Sequence, residues 1–329
     1  MSGELPRVSV IIATRDRPAY LAKAIKSVLA GEFQDFEIIV TDDAGVPENR
    51  EVAEAFKDSR ILYRRNSTCL QSARNHCAAA RVARGEYIAI LNDDDEWEPS
   101  LLATLLPLVE RYSVAVAFGD HHVMDADGIV SAAASQRSSR KWKRDRLAEG
   151  IHRPFQRLAI IDQSLAMQAA LIRRSALDWN DCPAEVGPLY DLWLSYLLCR
   201  NGAAAYYVGR RLARYRVHLS SSTSAGGART AAAMVFVYSR MLADSRLCPW
   251  RREIGERLRA AKLTYALTLI ESNEACAARQ QIRGAVYPGQ LARAGLSLAL
   301  SWMPAGTGAT VLRILRRIGA GRVAAMWWR

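Results

Sequence analysis

The chain has 329 residues, with 45 lysines and arginines against 33 aspartates and glutamates, for a formal net charge of +12. Single cores rarely grow past ~250–300 residues, so this length predicts one compact domain of about 225 residues with a helical appendage. Six cysteines without paired metal spacing exclude a disulfide-stapled scaffold and read as reduced thiols of a cytoplasmic protein, and Met1 leads through Pro6 straight into a strand, so no signal segment is expected.

Val8 to Ala13 is a short apolar run that breaks at Thr14, Arg15, Asp16 and Arg17. Pro18 then opens an amphipathic stretch, residues 19–30, that stops at Gly31, which reads as strand, loop and helix. Residues 36–41 repeat the apolar run and end in Asp42 and Asp43, while residues 61–63 lead to a helix-like stretch, 71–83, opened by Ser72, Ala73, Arg74 and Asn75. Gly85 closes that helix before a further strand, residues 87–91. Strands alternating with helices of this length predict a mostly parallel, doubly wound α/β sheet whose ligand lies outside the carboxyl ends of the strands.

The strand at 87–91 runs through Asn92 into Asp93, Asp94 and Asp95. Three adjacent carboxylates at the tip of a buried strand repel one another unless a cation sits among them, and hard oxygen-ligated ions commonly bridge such acids to substrate phosphates. Mg²⁺ or Mn²⁺ and a nucleoside-diphosphate substrate are therefore expected. The plain alternative is an acidic turn capping a helix near Pro99.

In order and spacing, the series Val-Ser-Val-Ile-Ile-Ala-Thr-Arg-Asp-Arg-Pro, Glu-Ile-Ile-Val-Thr-Asp-Asp, Ser-Ala-Arg-Asn and Gly-Glu-Tyr-Ile-Ala-Ile-Leu-Asn-Asp-Asp-Asp-Glu-Trp resembles the nucleotide-sugar-binding half of family-2 inverting glycosyltransferases. The resemblance covers residues 7–130, with further pieces to about residue 224. It implies the GT-A fold, a Rossmann-like sheet flanked by helices. It also implies that Thr14 and Asp16 line the nucleotide pocket, that Asp42 accepts a hydrogen bond from the base, and that Arg74 contacts base or phosphate. Asn92 and Asp93 would face the nucleotide sugar, and Asp94 and Asp95 the metal and ribose. Asn92 departs from the family, which commonly has Asp there; it carries no charge, so the metal site depends more on Asp94 and its neighbours. Asp43 has a second reading as the cap of the next turn, and Arg74 as the partner of a neighbouring carboxylate.

Residues 164–172 resemble the family's strand under the acceptor pocket, and residues 190–194 its helix carrying the general base. An inverting transferase needs a base because the acceptor hydroxyl loses a proton as it attacks the anomeric carbon. Asp191 is the acid of that helix. The family's preceding Glu-Asp pair is replaced by Pro188-Leu189, which makes Glu185 the fallback and leaves Asp191 a second reading as a helix-start charge. Arg214 to Ser224 resembles the family's closing segment, making His218 a metal ligand and Arg216 and Ser222 diphosphate contacts. Between the halves, the Ser- and Arg-rich residues 137–146 read as a mobile surface loop.

The division expected is residues 1–130 for the nucleotide sugar, 131–226 for the acceptor and catalysis within the same domain, and 227–329 as a helical region. From Cys276 to Arg329 there are eight arginines and no lysine, aspartate or glutamate, so this tail carries +8 of the +12 and leaves +4 for the rest. Val311, Leu312, Leu315 and Ile318 lie on one helical face and Arg313, Arg316 and Arg317 on the other, with Trp327 and Trp328 near the terminus. Such a tail suits an anionic membrane surface, on the inner face of the plasma membrane for a cytoplasmic protein; a helical cap or dimer interface is the competing reading. No nucleic-acid-binding motif accompanies the charge.

These readings converge on a metal-dependent inverting glycosyltransferase. The resemblance implies a nucleotide-sugar donor, a UDP- or dTDP-sugar foremost, and a hydroxyl acceptor on a glycan, a lipid-linked precursor or a small molecule. Two alternatives stay open: a non-catalytic nucleotide-sugar or glycan-binding relative, and a nucleotidyltransferase.

Overall fold

The computed structural model describes residues 5–218, 227–285, 291–304 and 306–319, without side chains at 291–293 and 314–319. Ser222, Trp327 and Trp328 lie outside the described residues. The chain divides into two compact units, Met1–Ser224 and Ala225–Arg329.

The first unit opens with the expected alternation: β1 (Val8–Thr14), α1 (Pro18–Leu29), β2 (Phe36–Asp42), α2 (Glu48–Ala55), β3 (Ile61–Arg65), α3 (Ser72–Ala80) and β4 (Tyr87–Asn92). Runs of Val and Ile buried on both faces suit a sheet covered by helices on each side; every residue of β2 is buried. β1 pairs in parallel with β2 on one side and β4 on the other. The strand order therefore reverses at β1, and the crevice outside the carboxyl ends of β1 and β4 is where a ligand finds room.

The sheet continues through β5 (Glu96–Trp97), α4 (Leu101–Arg111), β6 (Val116–Met124), β7 (Val130–Ser131), α5 (Ala132–Lys141), β8 (Gly150–His152), β9 (Ala170–Arg173), α6 (Tyr190–Cys199) and β10 (Ala205–Arg216). Its order is β3-β2-β1-β4-β9-β6-β10-β5. β9 runs antiparallel between β4 and β6, and β10 returns parallel to β6. Val8, Ile38 and Leu91 from the first strands share one core with Leu102 and Leu105 of α4 and Leu212 of β10.

Two expectations are corrected. Of residues 164–172, only the end is strand: a 3-10 turn, Met167–Ala169, precedes β9. Residues 137–146 are not a loop but the second half of α5 and a turn, Arg144–Arg146. The physical reason is a buried charge: Asp120 on β6 accepts hydrogen bonds from Ser139 and from Arg144 Nε, the latter at 2.5 Å. Ser135 and Ser139, one turn apart, form the face that packs inward.

The second unit comprises α7 (Ala228–Ala243), α8 (Arg251–Glu271), α9 (Ala275–Arg283), α10 (Leu291–Ser301) and α11 (Thr307–Gly319). Leu263, Leu267 and Ile270 of α8 meet Ile282 of α9, Leu300 of α10 and Leu312 of α11 in its core. Val311 also packs there, so these two residues of the apolar face expected on a membrane are used inside the unit. Among the described residues no helix is long and apolar enough to cross a membrane.

Candidate active site

The loops at the carboxyl ends of β1, β2 and β4 converge. Three residues here hold left-handed backbone without being glycine: Asp16 (φ 57°), Ala44 (φ 59°) and Gln71 (φ 67°). Such conformations cost roughly 1–3 kcal/mol each and persist where the surroundings fix them. Hydrogen bonds do so here: Asp42 accepts from Gly45 N at 2.7 Å and from Tyr63 Oη at 2.6 Å. A Cβ on Gly45 would stand 2.6 Å from Asp42 Oδ1, so only glycine lets the backbone approach that closely. Asp43 accepts from Leu70 N at 2.6 Å and Gln71 N at 2.9 Å and so fixes the loop that enters α3. Asp16 Oδ1 accepts from Val46 N at 3.1 Å, joining the β1 and β2 loops. Arg74 is exposed on the first turn of α3.

The acidic end of β4 faces these loops. Thr14 Oγ1 donates to Asp93 Oδ2 at 2.8 Å. Arg17, on which the sequence reading placed no role, sets Nη1 3.2 Å from Asp93 Oδ1 and 2.7 Å from Asp94 Oδ2. His218 brings Nε2 to 3.0 Å from that same Asp94 oxygen. Asp95 is turned elsewhere: it accepts from Arg216 N at 2.9 Å and Asn92 Nδ2 at 3.2 Å. Burial, and then repulsion from Asp94, lift the Asp93 carboxyl to about 7, against the pull of Arg17. The same two causes hold Asp95 well above the ordinary carboxylate range.

Arg216 does not serve as an open diphosphate contact. It is 1 % exposed, and it donates to the carbonyls of Asp94, Asp125 and Ala126 and to the Glu96 carboxylate. A guanidinium with its donors committed to the protein clamps the loops around the acidic turn.

Asp191 opens α6, exposed to solvent. Desolvation by the neighbouring protein raises its pKa. Its neighbour Tyr190 donates Oη to Asn92 Oδ1 at 3.0 Å, and Tyr190 stacks on His76 with ring centroids 4.1 Å apart. The hydrogen bond brings the start of α6 to the end of β4, and the stack holds it against α3. They also give the departure at Asn92 a physical role, since its amide accepts from Tyr190 while donating to Asp95, and a carboxylate cannot do both. Glu185 sits exposed in the preceding turn, Ala184–Val186.

Among the described residues, no group of three or more His, Cys, Asp or Glu side chains is arranged to hold a metal ion. The pair Asp94 and His218 fits a hard cation that takes its remaining ligands from a diphosphate and water, and the crowded carboxylates favour such a charge.

Residues 9–177 match the family described as glycosyl transferase family 2. The chain belongs to that family. One curated relative, the Escherichia coli UDP-Glc:alpha-D-GlcNAc-diphosphoundecaprenol beta-1,3-glucosyltransferase WfaP, is 27% identical over 128 residues, covering 39% of this chain and 51% of its own. The chain thus spans about half or less of the length of several curated relatives that it matches. Staphylococcus aureus TarS 1–349 in complex with UDP-GlcNAc superposes with a TM-score of 0.63 at 12% identity, over 95% of this chain and 92% of that one. The mannosyltransferase PcManGT from Pyrobaculum calidifontis, in complex with GDP-Man and Mn²⁺, gives 0.57 at 18% identity over 99% and 89%. At such identities the likeness shows the fold, which is the GT-A arrangement.

Proposed function

We propose that the protein transfers a sugar from a nucleoside-diphosphate donor, with inversion, to a hydroxyl of a lipid-linked glycan precursor. The observation that supports this reading is the Tyr190–Asn92 hydrogen bond of 3.0 Å: it ties the first turn of α6, which carries Asp191, to the strand end whose acids suit a metal and diphosphate. Asp16 and Arg74, both exposed, bind the nucleotide, the buried Asp42 and Thr14 hold the loops and acids around it, and Asp191 removes the acceptor proton as the hydroxyl attacks. Asp94 and His218 would hold Mn²⁺ or Mg²⁺, which would supply positive charge to offset that of the leaving diphosphate. A UDP-sugar donor and a diphosphate-lipid acceptor are supported by the WfaP name, a UDP-sugar also by the TarS complex, and Mn²⁺ by the PcManGT complex.

The test is a screen of UDP-, dTDP- and GDP-sugars with Mn²⁺ and a GlcNAc-diphosphate-lipid acceptor. Release of free nucleoside diphosphate with a new glycosidic bond of inverted configuration is expected. Pyrophosphate release would instead indicate nucleotidyl transfer, and donor binding without turnover a non-catalytic relative.

A lipid-linked acceptor also calls for a membrane surface. Leu298, Trp302 and Met303, at the end of α10, are 43 %, 69 % and 37 % exposed, and the Arg279 guanidinium stacks 4.5 Å from the Trp302 ring centroid. An exposed Trp among arginines, in a segment without acids, suits the anionic interface on the inner face of the plasma membrane. Co-sedimentation with phosphatidylglycerol vesicles at low salt, lost in Trp302→Asp, is expected; an intact protein that stays in the supernatant refutes the membrane reading.

A further inference from the structure

Cys77 lies on the buried side of α3, and Cys182, half-buried, lies in the loop between β9 and α6. The two side chains meet, the Cys77 thiol donating a hydrogen bond to the Cys182 sulfur. Contacts on either side of the pair lay the loop along the helix. Arg81 Nη1, just past the end of α3, donates to the Trp179 carbonyl at 3.4 Å, and Ala73 N, in its first turn, donates to the Gly187 carbonyl at 3.0 Å. Asp181 is tied in turn to α6: its carbonyl accepts from Trp193 Nε1 at 2.6 Å, and its carboxylate pairs with Arg200 at 3.0 Å. The surroundings set the two sulfurs apart. Its bond to Cys182, and then burial, raise the Cys77 pKa above the ordinary thiol range. The same hydrogen bond, helped by the positive charges of Arg74 and Arg81, lowers that of Cys182 against its desolvation. A partly accessible sulfur that favours the thiolate, beside a second thiol able to resolve it, is the arrangement that peroxide attacks selectively.

We propose that Cys182 and Cys77 are a modification site for hydrogen peroxide, which closes the pair to a disulfide that staples α3 to the loop entering α6. The Cys182 thiolate attacks one peroxide oxygen, the O–O bond breaks, and the departing hydroxide takes up the proton the thiol had lost, leaving a sulfenic acid and one water. The Cys77 sulfur then displaces the hydroxyl from the Cys182 sulfur, its proton leaving with that hydroxyl as a second water. Two thiols are thereby oxidised by two electrons, and one peroxide is reduced to two waters. Sulfurs in a hydrogen bond stand well outside the ~2.05 Å of a disulfide, so the closing movement falls to the loop, which is neither helix nor strand at Cys182. Capture by Cys77 also spares Cys182 the irreversible step to a sulfinic acid. The chemistry does not depend on the transferase reading, yet the staple joins the helix that carries Arg74 to the loop that leads to Asp191.

The test treats the full chain with rising doses of hydrogen peroxide at neutral pH, blocks the remaining thiols with iodoacetamide, and maps the peptides by mass spectrometry without reductant. Two peptides joined through Cys77 and Cys182 are expected, separated again by dithiothreitol. The two thiols should disappear in step, and at lower doses than the exposed Cys248 and Cys276. Cys77→Ser should leave Cys182 as a sulfenic acid that dimedone labels, while Cys182→Ser should lose the linked pair and leave Cys77 protected from peroxide. Should Cys77→Ser fail to fold, the wild type and Cys182→Ser decide the matter, since Cys182 is the less buried of the two. No linked pair at doses that oxidise Cys248 or Cys276 overturns the proposal, as does a Cys77 that is oxidised as readily in Cys182→Ser as in the wild type.

Discussion

Replacing Asp191 by Asn probes the proposed chemistry with least disturbance to the fold. Asn keeps the shape and a carbonyl that can accept the 2.8 Å hydrogen bond from Leu192 N, and it gives up only the favourable interaction of a carboxylate with the start of α6, about 0.3–1 kcal/mol. Losing a general base costs roughly 10²–10⁴ in rate, or about 2.7–5.5 kcal/mol of barrier at 1.36 kcal/mol per decade. The expected outcome is a kcat lower by that factor with the donor KM nearly constant. The pH profile gives a second readout. Desolvation raises the Asp191 pKa and the base acts when deprotonated, so wild-type kcat should climb with pH through that raised value and then level off. Asp191→Asn should lose the climb. Steady-state transfer assays across pH at saturating donor measure both. A variant within about 5-fold of wild type, or one that keeps the acid limb, refutes the assignment and moves the role to Glu185 or another acid.

Asp94→Ala should abolish Mn²⁺-dependent UDP binding while leaving the thermal midpoint near the wild-type value, and calorimetric titration of UDP and Mn²⁺ checks this. Arg144→Ala leaves Asp120 charged and buried without its 2.5 Å partner, which should cost about 3–5 kcal/mol in urea unfolding. Burial, against the pull of the Ser72 carbonyl and Asp43, lowers the His76 pKa to about 4. The unfolded chain then binds a proton that the native one refuses as pH falls below ~6.5, so His76 contributes a stability loss of about 2 kcal/mol between pH 7.5 and 5. The difference in unfolding free energy between wild type and His76→Phe should change by that amount over the interval, and a constant difference refutes the burial argument.

The alternation of apolar runs with amphipathic stretches was enough to place β1 through β4 and the helices between them, because a sheet covered on both faces demands continuous Val and Ile and its helices demand a 3.6-residue period. Acids at three strand ends marked the same crevice, because charges survive beside a buried strand only where it opens to solvent or ligand. Partnerships across distant chain segments were not legible. Arg17 meets Asp93 across 76 residues and Tyr190 meets Asn92 across 98, and nothing local distinguishes such a side chain from a solvated one. The α5 segment was misread because its buried face is serine packed on Asp120, so its polarity resembles that of a loop. Arg216 and Val311 show the same limit: a guanidinium can face a ligand or a set of carbonyls, and an apolar face can meet lipid or its own core. The sequence supplies the chemistry of each face, while the packing of neighbouring elements decides what that face meets, because burial energy depends on the surface opposite and not on the residue alone.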